Sequence, residues 1–420
     1  MKKFVILLAA PLLMISCMKT KGEVTLTYNK ALAIYGDLDS LRSLPLLIPT
    51  QPLENPKSYF VSSDYVLVGE LNKGIHIFDN LDMQNPQRVS FIQIPYNKEF
   101  YVKDNFLYAE SLYDLVKIDI SNIYNPVLVS RAENVFWTVH ENDKGKQLLG
   151  FEREYVTAQF EVNSPEAKEI KKSGTLYYDY MDNLIQESEV PAVFTGSYEG
   201  VKGTMNRIAA EFGHVYVIST DKMYAFNNAS DLQKTAEINI NSNTETIYAT
   251  DDRIYLGSST ALTVYSAANP SNPWEISELL HTESCDPVLP NGNVVYYTLR
   301  AVEAEGCNNL GENTLNVVDV SNPNEMIVTN SYQLDSPYGM ALIANKLLVG
   351  QGANGLIIFD ANSGANNLTE IVNYPEIEAF DVMIHPLNSN IILVTNSTGI
   401  KQYQINWVTL TVNPLGDIHY

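Results

Sequence analysis

A segment written most fully at Leu315–Pro323 recurs in degraded form eight times between residues 75 and 404. The last residues of its strand core are, in order, Asp79, Asp119, Glu161, Asn227, Ser266, Asp319, Asp360 and Gln404. By subtraction, the spacings are 40, 42, 66, 39, 53, 41 and 44 residues. A near-constant period of this size is typical of one supersecondary unit used repeatedly, and four short strands fill it.

The repeated core alternates between packed and polar positions. The penultimate residue is large and apolar in all eight copies: Phe78, Ile118, Phe160, Phe226, Tyr265, Val318, Phe359 and Tyr403. Polar residues such as His76 and Lys117 occupy other core positions, so the strands are not uniformly buried as in a helix-covered parallel sheet. Two short apolar strands precede each core, and a turn with Asn, Ser and Pro leads to a fourth. Four antiparallel strands per unit predict a propeller blade.

The core and its turn also resemble a known repeat. The run Val-Val-Asp-Val-Ser-Asn-Pro at 317–323 is similar to the LVIVD repeat of bacterial exported propellers, which are common among lipoproteins of the Bacteroidetes. The resemblance covers about residues 56 to 413, with the best matches in the copies that end at Asp119 and Asp319. It implies a β-propeller and no catalytic residues. We therefore predict an all-β chain with eight four-stranded blades, or seven if the third or eighth unit is irregular.

The first residues have the parts of an export signal. Lys2 and Lys3 precede an apolar run from Phe4 to Ile15, which is followed by Ser16 and Cys17. Met14 to Cys17 resembles a bacterial lipobox, so we expect cleavage after residue 16 and a lipid on Cys17. The expected location is the outer membrane of the cell envelope, on a side that the sequence leaves open. An ordinary signal peptide or a free cysteine is the alternative.

These features give four predicted regions. Residues 1–16 are the signal peptide, 17–55 a tether, 56–413 the propeller and 414–420 a C-terminal tail. In the tether, Val24–Tyr28 is a candidate strand to close the ring beside Val408–Val412.

Charge narrows the classes of partner. The chain has 49 acidic and 27 basic residues, and removal of two lysines with the signal changes the net charge from -22 to about -24. Nucleic acids and anionic membrane surfaces require a basic footprint, so neither is expected as a partner. Acidity of this kind serves solubility, and it also suits cations or basic partners.

Two oversized spacings indicate insertions, at about 173–204 and 301–312. In an antiparallel blade both positions emerge on the same face, where binding loops are common. The first insertion carries Tyr177, Tyr178, Tyr180 and Tyr198, which suit glycan or peptide recognition unless they pack on the blade rims. The second carries Cys307, which we expect to form a disulfide with Cys285 in an oxidising compartment.

No motif in the chain names a reaction. The six histidines lack metal-ligand spacing, and there is no phosphate-binding glycine loop, so we assign no metal, cofactor or catalytic residue. We expect a binding or scaffold module that recognises a glycan or an envelope protein. The alternatives are a glycan-active enzyme with carboxylates converging on the propeller axis, and a purely structural partner of an envelope complex. The sequence does not show which carboxylates converge.

Overall fold

The chain folds into two compact units of mostly β-structure. The computed structural model describes residues 22–136, 139–186, 206–242, 244–250, 252–281, 287–301, 312–361 and 367–419. Unit 1 comprises residues 1–36 and 141–195, and unit 2 comprises residues 37–140 and 196–420. The described residues form eight sheets and two short helices, which confirms the predicted all-β fold and the predicted number of sheets.

Unit 1 contains one sheet, built around a long strand pair. Its elements are β1 (Glu23–Gly36), β11 (Gln147–Glu161), α2 (Pro165–Ser173), β12 (Thr175–Tyr178) and β13 (Leu184–Ile185). The strand order is β11-β1-β12-β13, with β1 antiparallel to β11 and parallel to β12. Ser164 caps the N-terminus of helix α2, and its hydroxyl accepts a 3.1 Å hydrogen bond from the Ala167 N–H. It ends at Gly174, whose φ of 71° suits glycine.

The third repeat copy is the irregular one. Thr157–Glu161 lies in β11, whereas the other seven copies form the third strands of their sheets. The candidate ring-closing segment, Val24–Tyr28, pairs with β11 rather than beside Val408–Val412. The predicted tether 17–55 is also divided, because β1 belongs to unit 1 and residues 37–55 belong to unit 2. A short alternating strand pattern does not specify its partner, which explains both corrections.

The first part of unit 2 contains three sheets of four consecutive antiparallel strands, and β2 extends sheet 1 as a fifth strand beside β6. Residues before sheet 1 form α1 (Leu38–Arg42) and β2 (Leu47–Ile48). Sheet 1 consists of β3 (Pro56–Val61), β4 (Tyr65–Glu70), β5 (Gly74–Asp79) and β6 (Gln87–Gln93). Sheet 2 consists of β7 (Phe100–Lys103), β8 (Phe106–Ser111), β9 (Asp114–Asp119) and β10 (Val127–Ala132). Sheet 3 consists of β14 (Ile208–Glu211), β15 (His214–Ser219), β16 (Lys222–Asn227) and β17 (Gln233–Asn239).

Four more sheets of the same strand order complete unit 2. Sheet 4 consists of β18 (Thr244–Thr250), β19 (Arg253–Ser258), β20 (Ala261–Ser266) and β21 (Trp274–Leu280). Sheet 5 consists of β22 (Val288–Asn291), β23 (Val294–Leu299), β24 (Thr314–Asp319) and β25 (Ile327–Gln333). Sheet 6 consists of β26 (Met340–Ile343), β27 (Lys346–Gly350), β28 (Leu356–Asp360) and β29 (Thr369–Tyr374). Sheet 7 consists of β30 (Asp381–Ile384), β31 (Ile391–Asn396), β32 (Gly399–Asn406) and β33 (Thr411–His419).

The predicted C-terminal tail belongs to the last strand of sheet 7. Strand β33 pairs with β32 as far as His419, opposite Gly399. Residues 414–419 are therefore part of the propeller. The sequence boundary at 413 was placed too early because Pro414 and Gly416 are poor strand formers, and both are accommodated at the bulged outer edge.

The repeat signature carries a β-bulge as well as a strand. In all seven sheets of unit 2, the pairing of the third and fourth strands shifts just before the large penultimate residue, as between Val317 and Val318. The extra residue lies on the fourth strand, where a bulge increases the local twist. The penultimate side chain is buried at this point, with Phe78 only 4% and Val318 0% exposed.

Hydrogen bonds explain the Asp-Val-Ser-Asn-Pro tail of the repeat. The Asp319 carboxylate accepts the Ser321 N–H at 2.8 Å, which closes a local turn. The Val320 N–H then donates to the Asn293 carbonyl, at 2.9 Å, in the turn between the first two strands of the same sheet. Pro126 directly precedes β10 in sheet 2, where a strand can begin without an N–H donor.

Neighbouring sheets of unit 2 pack face to face through apolar clusters. Seven clusters among the described residues each combine side chains of two consecutive sheets, and the seventh joins sheet 7 back to sheet 1. Polar side chains also reach the next turn, as when the Tyr216 hydroxyl donates to the Pro270 carbonyl at 3.1 Å. First strands contact one another, including β7 with β14 and β14 with β18. Unit 2 is therefore a closed ring with its first strands around the axis.

A buried amide pair marks the place where the ring closes. Asn80 of sheet 1 donates to the Gln402 side-chain carbonyl at 3.0 Å, and Gln402 donates back at 2.7 Å. Both residues are 0% exposed. The pair lies among the apolar side chains that sheets 1 and 7 share, including Val68 and Leu393. Each amide therefore gives one hydrogen bond to the other and accepts one from it, and Gln402 also donates to the Met83 carbonyl at 3.3 Å.

We predict that Asn80→Ala and Gln402→Ala each lower the free energy of unfolding by roughly 1–3 kcal/mol, because each leaves a buried amide without its partner. The double variant should cost less than the sum of the two single changes. Urea unfolding followed by circular dichroism measures both effects. The control, Gln87→Ala, removes an exposed amide that bonds only to Asn85 and should change little. If the double variant loses as much free energy of unfolding as the two single variants together, the two amides are not coupled.

Candidate functional site at the axial channel

The first strands of sheets 2, 3 and 4 bring side chains to the axis of the ring. Alternate residues on a strand share one face, so Glu99, Tyr101 and Lys103 form one row along β7 and the residue before it. A second row, which includes Arg207 and Glu211, runs along β14 and the residue before it. The two rows meet at the Lys103–Glu211 ion pair, whose atoms are 2.8 Å apart. The sheets of a propeller surround a central channel, so these rows on first strands lie beside it.

Four charged residues form the opening of this channel, and we call them the mouth cluster: Lys98, Glu99, Glu110 and Arg207. The Arg207 backbone N–H donates to the Glu99 carboxyl at 2.8 Å. Asn97 holds the turn behind the cluster by donating to the backbone carbonyls of Glu99, at 2.9 Å, and Glu110, at 3.1 Å. Lys98 and Glu110 are only 4% and 3% exposed. The cluster therefore rests on a rigid backbone connection between the ends of β7 and β8.

Burial changes the acidity of two mouth residues. Loss of hydration is the main reason that the pKa of Glu99 is raised to about 7, and the negative charge of Glu110 adds a smaller increase. The positive charges of Arg207 and Lys98 oppose this increase in part. Burial, supported by the positive charge of Arg207, lowers the pKa of Lys98 to about 8. Glu99 is surrounded by protein atoms, and its side chain still keeps some solvent-accessible surface. This is expected for a residue beside an internal channel. Both groups thus titrate near neutral pH.

Two tyrosines lie deeper, between the mouth cluster and the Lys103–Glu211 pair. Tyr101 of β7 and Tyr248 of β18 are both partly exposed. Burial, with smaller effects of Tyr248 and Glu211, raises the pKa of Tyr101 to about 12. Tyr248 also packs beside the apolar cluster of sheets 5 and 6. The two tyrosines are therefore close enough to influence each other electrostatically.

Sheets 5 to 7 contribute a second polar group at the same end of the ring. The Arg300 guanidinium, 2% exposed, lies 4.1 Å from the centre of the Tyr338 ring. Asp381 packs directly on Gly339, where an added Cβ would lie 1.7 Å from the carboxylate oxygen. Glycine at 339 is therefore needed for the approach of sheet 7 to sheet 6 at this end.

The tyrosines chosen from the sequence lie in unit 1. Tyr177 is 3% exposed and packs edge-on against Phe151, with ring centres 5.1 Å apart. Tyr178 is half-buried under the Lys30 ammonium group, 5.0 Å from its ring centre. Tyr180 is half-buried as well and donates a hydrogen bond to Asp143. Tyr177 is thus part of a packed interior, while recognition by Tyr178 and Tyr180 stays a prediction.

Several predicted residues lie outside the described residues. These are the lipid-anchor residue Cys17, the disulfide pair Cys285 and Cys307, and Tyr198. Their roles stay predictions. Within the ranges that the structure describes, no group of three or more potential ligand side chains could hold a metal ion. In the same ranges, no helix has the length and apolar character to cross a membrane.

The mouth cluster was missed in the sequence because Arg207 lies 108 positions from Glu99 along the chain. The alternative of carboxylates converging on the axis named no residue, and Glu99 and Glu211 lie in the two rows described above, with Glu110 near Glu99. A usable signal does exist in hindsight. Lys98, Glu99 and Arg207 directly precede the first strands of sheets 2 and 3, at positions where sheets 5 and 6 have Pro287 and Gly339.

Comparison with known proteins supports the class of fold and nothing finer. No family model and no curated protein matches the chain. Among solved structures, a periplasmic gluconolactonase from Pseudomonas aeruginosa aligns with a TM-score of 0.54 and 10% identity, over 85% of this chain and 96% of that one. A functionally unknown protein from Desulfotomaculum acetoxidans aligns with a TM-score of 0.53 and 10% identity, over 85% and 99% of the two chains. The chain is a β-propeller protein.

We predict that Glu99→Gln flattens the pH dependence of stability between about pH 4.5 and 7. In this window folded Glu99 holds a proton that the unfolded chain releases, so stability falls as pH rises. The difference between wild type and variant should reach roughly 3 kcal/mol at most. Urea midpoints at pH 5, 6, 7 and 8 measure it, with Glu325→Gln, an exposed carboxylate, as the control. Parallel curves for wild type and Glu99→Gln would contradict the prediction.

Proposed function

We propose that this protein is an exported, lipid-anchored β-propeller that acts as a binding module at the bacterial cell envelope. Its ligand enters the axial channel of unit 2 through the mouth cluster. The observation that carries the proposal is the set of charged side chains gathered there, with Lys98 and Glu110 almost fully buried. Charges withdrawn from water cost folding free energy unless they are well paired. Perturbed groups in a channel are typical of binding and catalytic sites.

The positions of the two insertions in the chain also support a ligand site at the mouth end of the ring. Second strands end and first strands begin at this end, because the four strands of each sheet alternate in direction. The described residues at the edges of the two insertions, 300–301 after β23 and 206–207 before β14, therefore lie at this end of unit 2. Loops at one end of a rigid scaffold commonly contact ligands.

Export and anchoring rest on the N-terminal sequence. Lys2 and Lys3, the apolar run 4–15 and Cys17 follow the order of a lipoprotein signal. The LVIVD-like repeats point in the same direction, since that family resemblance implies envelope lipoproteins. One acyl-bearing N-terminus would tether the propeller to the outer membrane while the channel remains available to a ligand.

A glycan-active enzyme is the second candidate, and one observation favours it. Glu99 carries a raised pKa and has Glu110 as a close neighbour, which is the kind of carboxyl pair that serves as acid and base. In that case protonated Glu99 would donate to a leaving oxygen. Turnover of a bound glycan, lost in Glu99→Gln while binding is retained, would assign the enzyme role.

We predict that Cys17→Ala moves the protein from the membrane fraction to the soluble fraction, because the lipid is attached at this residue. Immunoblots of fractionated cells measure the change. The other cysteines, Cys285 and Cys307, offer a matched control. The Cys285→Ala variant should stay in the membrane fraction. Tight membrane association of Cys17→Ala would remove the lipid anchor from the proposal.

We predict that Arg207→Ala weakens ligand capture at least ten-fold, because the change removes a charge from the mouth cluster. A glycan array and a pull-down with the soluble mature protein provide the ligand, and titration of wild type and variant measures the effect. The control, Lys168→Ala, removes an exposed positive charge on α2 and should bind like wild type. Equal binding by all three proteins would place the binding site elsewhere.

A further inference from the structure

We infer that unit 1 carries a dimerisation surface, the free edge of strand β11, and that its partner is the same edge of a second copy of this chain. In the sheet order β11-β1-β12-β13, β11 pairs with β1 on one side only. Over residues 154–160, the backbone groups that point away from β1 have no hydrogen-bond partner among the described residues. Such a row of backbone groups is a template for another strand.

The outer sheet edges of unit 2 are protected, which sets β11 apart. Each of the seven fourth strands carries a β-bulge, and a bulged edge pairs poorly with another chain. At the opposite edge of the unit 1 sheet, β13 is only two residues long. Strand β11 instead pairs with β1 from Gly150 to Glu161 without a shift in register. A long, regular edge therefore stands open to a partner strand.

The amino acids of β11 limit which part of the edge can pair. Glu152, Arg153 and Glu154 are charged, and charged side chains keep strand edges apart. Residues 155–160 contain no charged residue, proline or glycine. They include Tyr, Val, Thr and Phe, the residue types that strands favour. The uncharged stretch is therefore the part of β11 that suits a partner strand.

This stretch is complementary to itself when two copies pair antiparallel about Ala158. Alternate residues share one face of a sheet. On the face that packs with α2, the apolar strip consists of Val156, Ala158 and Phe160. In this register Val156 lies opposite Phe160 of the second copy, so apolar side chains meet. On the other face Thr157 lies opposite Gln159, so polar side chains meet. The result is a two-fold dimer in which both copies use the same surface.

Other registers of the same strand pair are less favourable. Pairing about any residue from 155 to 157 would set the Glu154 carboxylate opposite a member of the apolar strip. Pairing about Glu154 itself would set two like charges directly opposite each other, which is destabilising. In the Ala158 register, Glu154 lies opposite Val162, which follows the strand and is 37% exposed, so the carboxylate stays in water. Charge and apolar contact therefore select the same register.

Sedimentation equilibrium of the mature protein in its soluble Cys17→Ala form tests the inference. We expect the mass of a dimer at about 100 µM protein and dissociation on dilution. Ala158→Lys should weaken the dimer roughly ten-fold or more, because two lysines would face each other across the two-fold axis. Thr369→Lys, on an exposed outer strand that carries a bulge, should dimerise like the parent protein. Circular dichroism shows whether both variants are folded.

Cysteine crosslinking tests the register, and it does not depend on the folding of the lysine variant. Ala158→Cys should form a disulfide-linked dimer under mild oxidation, because the two copies of this residue meet at the axis. Val156→Cys is the matched control. Its two copies lie four residues apart along the paired strands, or about 13 Å, so they should stay unlinked.

Three results would overturn the inference. One is a parent protein that stays monomeric at about 100 µM, whether the edge remains open or a strand of another protein covers it. Another is a dimer that survives in folded Ala158→Lys and gives no crosslink at position 158, which would place the contact on a different surface. The third is equal crosslinking of Ala158→Cys and Val156→Cys, which would refute pairing about Ala158. Ligand capture at the mouth cluster is tested separately by Arg207→Ala.

Discussion

The apolar contact between sheet 7 and sheet 1 is the interaction on which the rest of unit 2 depends. Each sheet has two faces to bury, and only a closed ring gives the first and last sheets the same cover as the others. Val66 and Leu393, both 0% exposed, belong to this closing cluster, with Asn80 and Gln402 beside them. The apolar side chains drive closure, whereas the amide pair requires a defined register between the two sheets.

Ring closure also explains how an acidic, solvent-exposed repeat protein holds charged side chains away from water. The first strands converge near the axis, so residues at their ends lose solvent from several sides. Glu99 and Lys98 consequently change their acidity in opposite directions toward neutral pH. The same geometry brings Glu211 to Lys103 from the neighbouring sheet. The charged cluster near the axis is thus a product of the radial arrangement of the sheets.

The fold was largely predictable because its signals are local and repeated. A large penultimate residue, a turn-forming Asp or Asn and a proline recur at a regular spacing, and each has a direct role in a bulge, a turn or a strand entrance. The third copy, ending at Glu161, was misassigned because alternation predicts a strand without naming its partner. Tyr177 was a candidate for ligand recognition because it lies in an insertion, yet it packs inside unit 1. Residue type alone does not report burial.

The sequence by itself determined the strand units, their turns and the number of sheets, because backbone geometry and apolar periodicity act over a few residues. Only the tertiary structure decided which charges meet. Glu99 and Arg207 are more than a hundred positions apart, with the whole of β1's partner strand β11 between them in the chain, and they become neighbours only when sheets 2 and 3 pack. Electrostatic and desolvation effects depend on distances through space. The candidate site therefore follows from the closed ring and could not be read from the repeat.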